Sequence, residues 1–177
     1  MIVVTGNAYK FGHIKEFFPE AEQREIDLVE IQSLDASEII RHKLTEARQN
    51  VSGEILVEDT SLLCDGLQGL PGPLVKFFLQ TVRCEGIWHM SQSSGNTQAQ
   101  AVTTLGYLSE TGEMIITQGI TTGQIVAPRG EGHGWNPIFQ PDGADQTYAE
   151  MSQSEHRHWN MRLKALQELQ KQLSDLE

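Results

Sequence analysis

The chain has 177 residues, 38% of them hydrophobic and 21% charged, which is enough for one well-packed domain and short for two. Its 24 acidic residues against 13 Lys and Arg give a net charge of −11, which excludes a nucleic-acid polymer or an anionic membrane surface as the main partner, since both need clustered positive charge. Two cysteines, Cys64 and Cys84, without CxxC spacing, exclude a disulfide framework and fit two buried thiols in a cytoplasmic protein.

Residues 1–4 read as a short apolar strand, too brief for a signal peptide or a membrane span. TGNAYK at 5–10 then turns into a helix on which Phe11, Ile14 and Phe18 recur at helical spacing. Gly6 permits a tight backbone and Asn7 can cap the helix, whose free N–H groups would favour an anion beside Lys10. The spacing is not that of a Walker P-loop. Residues 23–28 alternate weakly as a second strand that ends before Glu30. Asp35 and Glu38 have capping-box spacing ahead of a helix whose apolar face is Ile40, Leu44, Ala47 and Val51, with Lys43 near its edge.

The stretch LVEDTSLLCDGLQGLPG at 56–72 organises the chain. Ile55, Leu56 and Val57 suit a strand covered on both faces, placing Glu58 and Asp59 at its carboxyl end, where open α/β sheets bind ligands. Paired carboxylates at such a place suit Mg²⁺, which keeps several waters and is commonly shared with substrate phosphates. The competing reading makes them ordinary turn-capping acids. Residues 74–82 and 87–90 predict two short helices separated near Glu85-Gly86. Residues 99–108 and 113–120 predict a hairpin about Ser109–Gly112, and 122–127 a further strand, so the sheet should be mixed. PRGEGHG at 128–134 reads as a flexible loop leading to Trp135, which can either contact a planar ligand or anchor the loop on the core. Ser152 and Glu155 form a capping box ahead of one last helix, with Trp159, Leu163, Leu166, Leu169, Leu173 and Leu176 on its apolar side. His133, His156 and His158 invite a zinc hypothesis, but HExxH and Cys/His ligand spacings are missing.

The order TGNAYK, LVEDTSL, GLPGPLVKFF, VAPRGEGHGWNPIFQPDG, QTYAEM and a terminal helix with MRLKAL resembles the inosine triphosphate pyrophosphatase family over almost the whole chain. The resemblance implies a single α/β domain over 1–177, with an elongated mixed sheet flanked by helices, two lobes, a central cleft and a homodimer. It also implies Mg²⁺-dependent cleavage of non-standard purine nucleoside triphosphates (ITP, dITP, XTP) to monophosphate and pyrophosphate, a house-cleaning of the nucleotide pool. By motif position Glu30 and Asp59 are the metal ligands. Asp59 also orients or deprotonates the attacking water, with Glu58 its neighbour of unassigned role and Lys10 its catalytic partner. Thr5, Gly6, Asn7, Lys10, Lys43, Thr60 and Lys76 match positions around the phosphates and sugar. His133, Gly134, Trp135, Asn136, His156, Met161 and Arg162 match the base-recognition positions.

The base end departs from the family's pattern. His133-Gly134-Trp135-Asn136 stands where Phe-Gly-aromatic-Asp is usual, Asn160-Met161-Arg162 where Ser-His-Arg is usual, and His156 where a lysine is usual. An amide with donors and an acceptor thus replaces an acceptor-only carboxylate, and a thioether replaces a polar contact. Arg162, which donates and cannot accept, should favour 6-keto over 6-amino bases. The alternatives are a nucleotide-binding module with weak or lost catalysis and a pyrophosphatase of altered base choice.

Overall fold

A computed structural model describes residues 1–175; Leu176, assigned from the sequence to the last helix, lies outside the described residues. The strands are β1 (Ile2–Val4), β2 (Glu22–Arg24), β3 (Ile55–Cys64), β4 (Pro71–Gly72), β5 (Gln98–Leu108), β6 (Met114–Ile125) and β7 (Phe139–Pro141), and they form a mixed sheet in the order β2-β1-β3-β5-β6-β7, with β4 paired to β3. The helices are α1 (Ala8–Phe17), α2 (Ala36–Asn50), α3 (Val75–Thr81), α4 (Arg83–Ser94), α5 (Gln153–Trp159) and α6 (Met161–Ser174). The chain divides into two compact units, one of Met1–Asp59, Thr103–Gly119 and Arg162 onward, the other of Thr60–Val102 and Ile120–Met161.

In the first unit β1 lies parallel to β2 and β3, with Val3 opposite Leu56. Strand alternation then sorts the apolar side chains onto two faces. Val3 and Leu56 join Ile14 of α1 and Leu163, Leu166 and Leu169 of α6 in one cluster, while Val4, Ile55 and Val57 join Ile40, Leu44 and Ala47 of α2 in another. Helix α2 sits close because residue 106 of β5 is glycine: a Cβ there would lie 2.3 Å from Ile40 Cγ2 and 3.0 Å from Leu44 Cδ1. That approach brings Lys43 onto the sheet.

The second unit is built on a core of Leu62, Val75, Ile87, Ile125, Phe139 and Tyr148. Trp135 is buried in it, with ring centroids 5.5 Å from Phe139 and 5.9 Å from Tyr148. Its anchoring role explains how the irregular 128–134 loop is tethered. Cys64 is buried and free as expected, whereas the free Cys84 is only partly covered and donates through Sγ to the Gly134 carbonyl at 3.2 Å.

Several boundaries differ from the sequence reading. β3 does not stop at Val57 but runs ten residues, so the acids lie mid-strand; neither Gly nor Pro interrupts 55–64. β2 is only three residues because its partner β1 is only three residues long. The separate strand expected at 122–127 is the continuation of β6. The α3–α4 break falls at Val82 rather than Glu85-Gly86, and Gly86 lies within α4, where a Cβ would lie 2.5 Å from Val82 Cβ. Asp35 caps Ser37 N at 2.8 Å, but Glu38 bonds Ser33 Oγ instead of closing a capping box. The single last helix is two: the Trp159 carbonyl accepts from the hydroxyls of Thr121 and Tyr148, and Asn160 turns extended (ψ 112°). The Ser152–Glu155 capping box forms as read.

Candidate active site

Glu58 and Asp59 are neighbours in sequence and opposites in space. On a strand, successive side chains face opposite ways, so Glu58 follows Leu56 toward α1 and α6, and Asp59 follows Val57 toward α2. Two separate charge clusters result.

Glu58 is almost fully buried and is clamped by two cations. Arg162 grips it as a fork, Nε to Oε2 at 2.7 Å and Nη2 to Oε1 at 2.9 Å, and Lys10 Nζ reaches Oε1 at 3.0 Å. Burial alone would raise its pKa, but the charges of Lys10 and Arg162 outweigh that and hold it down at about 2. Arg162 is itself buried, and burial opposing its charge is overcome by Glu58. Its remaining nitrogen, Nη1, lies 3.4 Å from Nδ1 of the buried His13, whose ring meets Tyr9 edge-on. Lys10 and His13 share one face of α1 at i, i+3 spacing. His13 was not singled out in the sequence, although a histidine between Phe11 and Ile14 was a visible signal.

On the other face Lys43, buried, bridges two carboxylates: Nζ is 2.8 Å from Glu30 Oε1 and 3.1 Å from Asp59 Oδ1. Burial would lower the lysine's pKa, but Asp59 and Glu30 raise it above its usual value. Asp59 is raised as well: burial raises it most and the like charge of Glu30 adds to that, against the opposing pull of Lys43. Its Oδ2 is buried without a hydrogen-bond partner among the described residues. A hard-oxygen pair within reach of one cation, with an orphaned carboxylate oxygen, fits a divalent ion of the Mg²⁺ type. Among the described residues no group of three or more His, Cys, Asp or Glu is arranged to hold a metal, so such an ion would take its other ligands from water or substrate. His133, His156 and His158 form no such group either.

Of the phosphate-side residues, Thr5, Gly6, Asn7 and Lys10 lie at the start of α1. Asn7 caps that helix by accepting from Lys10 N at 3.1 Å, and Thr5 Oγ1 accepts from Asn7 N at 3.1 Å. A Cβ on Gly6 would lie 3.0 Å from Glu25 Oε1. Thr60 follows Asp59 on β3, at the start of the second unit. Lys76 lies exposed on α3. Of the base-side residues, His133 and Gly134 are exposed in the loop, Trp135 is core, and Asn136 opens a 3₁₀ turn whose carbonyl accepts from Ala149 N at 3.2 Å. His156 meets Tyr148 edge-on at 4.6 Å, and its Nδ1 is 3.5 Å from Asn160 Nδ2. Met161 packs into the apolar core of the second unit.

Fold and clusters define a mixed α/β protein with paired acid–cation groups on the two faces of one strand. The Ham1 family pattern matches residues 1–172, and the chain belongs to that family. It is 40% identical over 174 residues to the inosine triphosphate pyrophosphatase of Schizosaccharomyces pombe, covering 96% of this chain and 92% of that one. It is 42% identical over 172 residues to the protein of the same name from Neurospora crassa, covering 94% and 88%. In fold it resembles the Ham1 protein of Staphylococcus aureus (TM-score 0.87, 21% identity, 99% and 98% covered). It also resembles the nucleoside-triphosphatase, or dITP/XTP pyrophosphatase, of Mycobacterium abscessus (TM-score 0.73, 21% identity, 95% and 97% covered).

Proposed function

We propose that the protein hydrolyses non-standard purine nucleoside triphosphates, ITP, dITP and XTP, to the monophosphate and pyrophosphate, and so keeps such nucleotides out of the pool. Support comes from the near full-length likeness to two inosine triphosphate pyrophosphatases. The observation that carries the chemistry is Asp59, raised in pKa by burial and with one oxygen unpartnered, beside Glu30 and Lys43. Glu30 and Asp59 would hold Mg²⁺, which when bound neutralises phosphate charge. Lys10 and the capped start of α1 bind phosphate oxygens. Asp59 orients a water and takes its proton as the water oxygen bonds to phosphorus; the α–β bridging P–O bond breaks and pyrophosphate leaves with the electron pair. Lys43 holds the two carboxylates in place.

By motif position His133, Asn136 and His156 select the base, while Trp135 anchors the loop that carries His133; Arg162, a base-recognition position by the same motifs, has its fork on Glu58 and its Nη1 3.4 Å from His13 Nδ1. A second reading, altered base choice, draws on Met161, which packs in the core and supplies no polar contact. A panel of ITP, XTP, dITP and ATP with Mg²⁺ tests both. ITP should be turned over faster than ATP; equal rates would remove base discrimination from the account, and binding without turnover would remove catalysis. Homodimeric assembly and a cytoplasmic location belong to the same proposal, and a monomer mass in sedimentation would refute the first. No helix among the described residues is long and apolar enough to cross a membrane.

A further inference from the structure

We propose that Glu58 is a positioning residue for substrate binding: its buried carboxylate, forked by Arg162, fixes the place of the Lys10 ammonium. The inference rests on the function proposed above and assigns a role to the acid next to Asp59.

Three observations carry it. First, Glu58 faces away from Asp59 across the strand, so it belongs to a different cluster from the Asp59, Lys43 and Glu30 group. Second, both of its oxygens are engaged, Oε1 by Lys10 and Arg162 and Oε2 by Arg162. A carboxylate so held is a weak proton acceptor, which rules it out as the general base. Third, the two cations differ in access: Arg162 is buried, whereas the Lys10 side chain is 25% exposed. The buried fork therefore anchors Glu58, and Glu58 in turn holds the ammonium of a partly exposed side chain one turn into α1, on the residue whose N–H Asn7 caps. A lysine stem is otherwise flexible, and fixing it before the phosphate arrives removes an ordering cost from binding. Apolar residues of similar volume commonly stabilise a fold as well as a buried ion group does, so stability alone does not call for this arrangement.

The test compares Glu58→Asp, Glu58→Gln, Lys10→Met and the double variant Glu58→Asp/Lys10→Met, with ITP and saturating Mg²⁺. Glu58→Asp keeps the charge that pairs the buried guanidinium, so it folds even if Glu58→Gln does not, but it retracts the carboxylate from Lys10. The expected result is a KM raised about tenfold to a hundredfold, the scale of a lost charged hydrogen bond, with kcat nearly kept. The double variant should have the KM of Lys10→Met, because both changes remove one contact. Unchanged KM in Glu58→Asp, loss of kcat with KM kept, or KM effects that multiply in the double variant would each overturn the proposal. Wild-type protein that releases no pyrophosphate would instead refute the proposed function.

Discussion

Replacing Asp59 with Asn removes the charge of a side chain while keeping its shape. The carbonyl oxygen of Asn can still accept from Lys43, now 3.1 Å from Oδ1, and the amide stands where the partnerless Oδ2 lies. Because burial and Glu30 raise the pKa of Asp59, ionising it opposes folding at neutral pH, and the sign for stability follows: the neutral variant should melt at the same temperature or higher. Activity should move the other way. Losing one electrostatic contributor of this kind costs about 10²-fold or more in kcat, roughly 2.7 kcal/mol of transition-state stabilisation. Pyrophosphate release from ITP at saturating Mg²⁺, beside a thermal melt on the same sample, measures both. A kcat within a factor of about 3 of wild type would refute the catalytic role, and a clearly lowered melting temperature would show that Asp59 serves the fold instead.

Glu58 sets an acid limb: its pKa falls from 4.5 to about 2 on folding, so its contribution is complete above pH 4.5 and disappears as pH drops toward 2. At 1.36 kcal/mol per pKa unit this is on the order of 3 kcal/mol, and chemical denaturation across that window should show it vanish in a Glu58→Gln variant. Gly106→Ala should destabilise by about 1–3 kcal/mol, because the new Cβ would lie 2.3 Å from Ile40 Cγ2; denaturant midpoints check it, and activity should fall as α2 and Lys43 shift. Trp135→Ala should cost about 3–5 kcal/mol, read by the same denaturation, because the ring is buried against Phe139 and Tyr148.

Much of this was legible in the chain. The strand–loop–helix at the start, the Asn7 cap, the apolar face of α2 and the Ser152 capping box follow from local pattern, and each formed. Local pattern misled where a partner elsewhere decides the outcome. The last helix carries continuous helical periodicity, yet it breaks at Asn160 because Thr121 and Tyr148 take the Trp159 carbonyl from a distance in sequence. The acids at 58–59 read as a pair, but extending β3 through them throws them onto opposite faces. Lys43 looks like a surface lysine on a helical wheel and becomes buried only because Gly106 admits α2 so closely. The fork between Glu58 and Arg162 joins residues 104 positions apart, a distance over which no spacing rule operates.

The central claim is that water cleaves ITP between the α and β phosphates. Phosphorus NMR of the products, after incubating the protein with ITP and Mg²⁺ in the absence of other enzymes, tests it most directly. The account predicts inosine monophosphate and intact pyrophosphate in equal amounts, whereas inosine diphosphate with orthophosphate would contradict it.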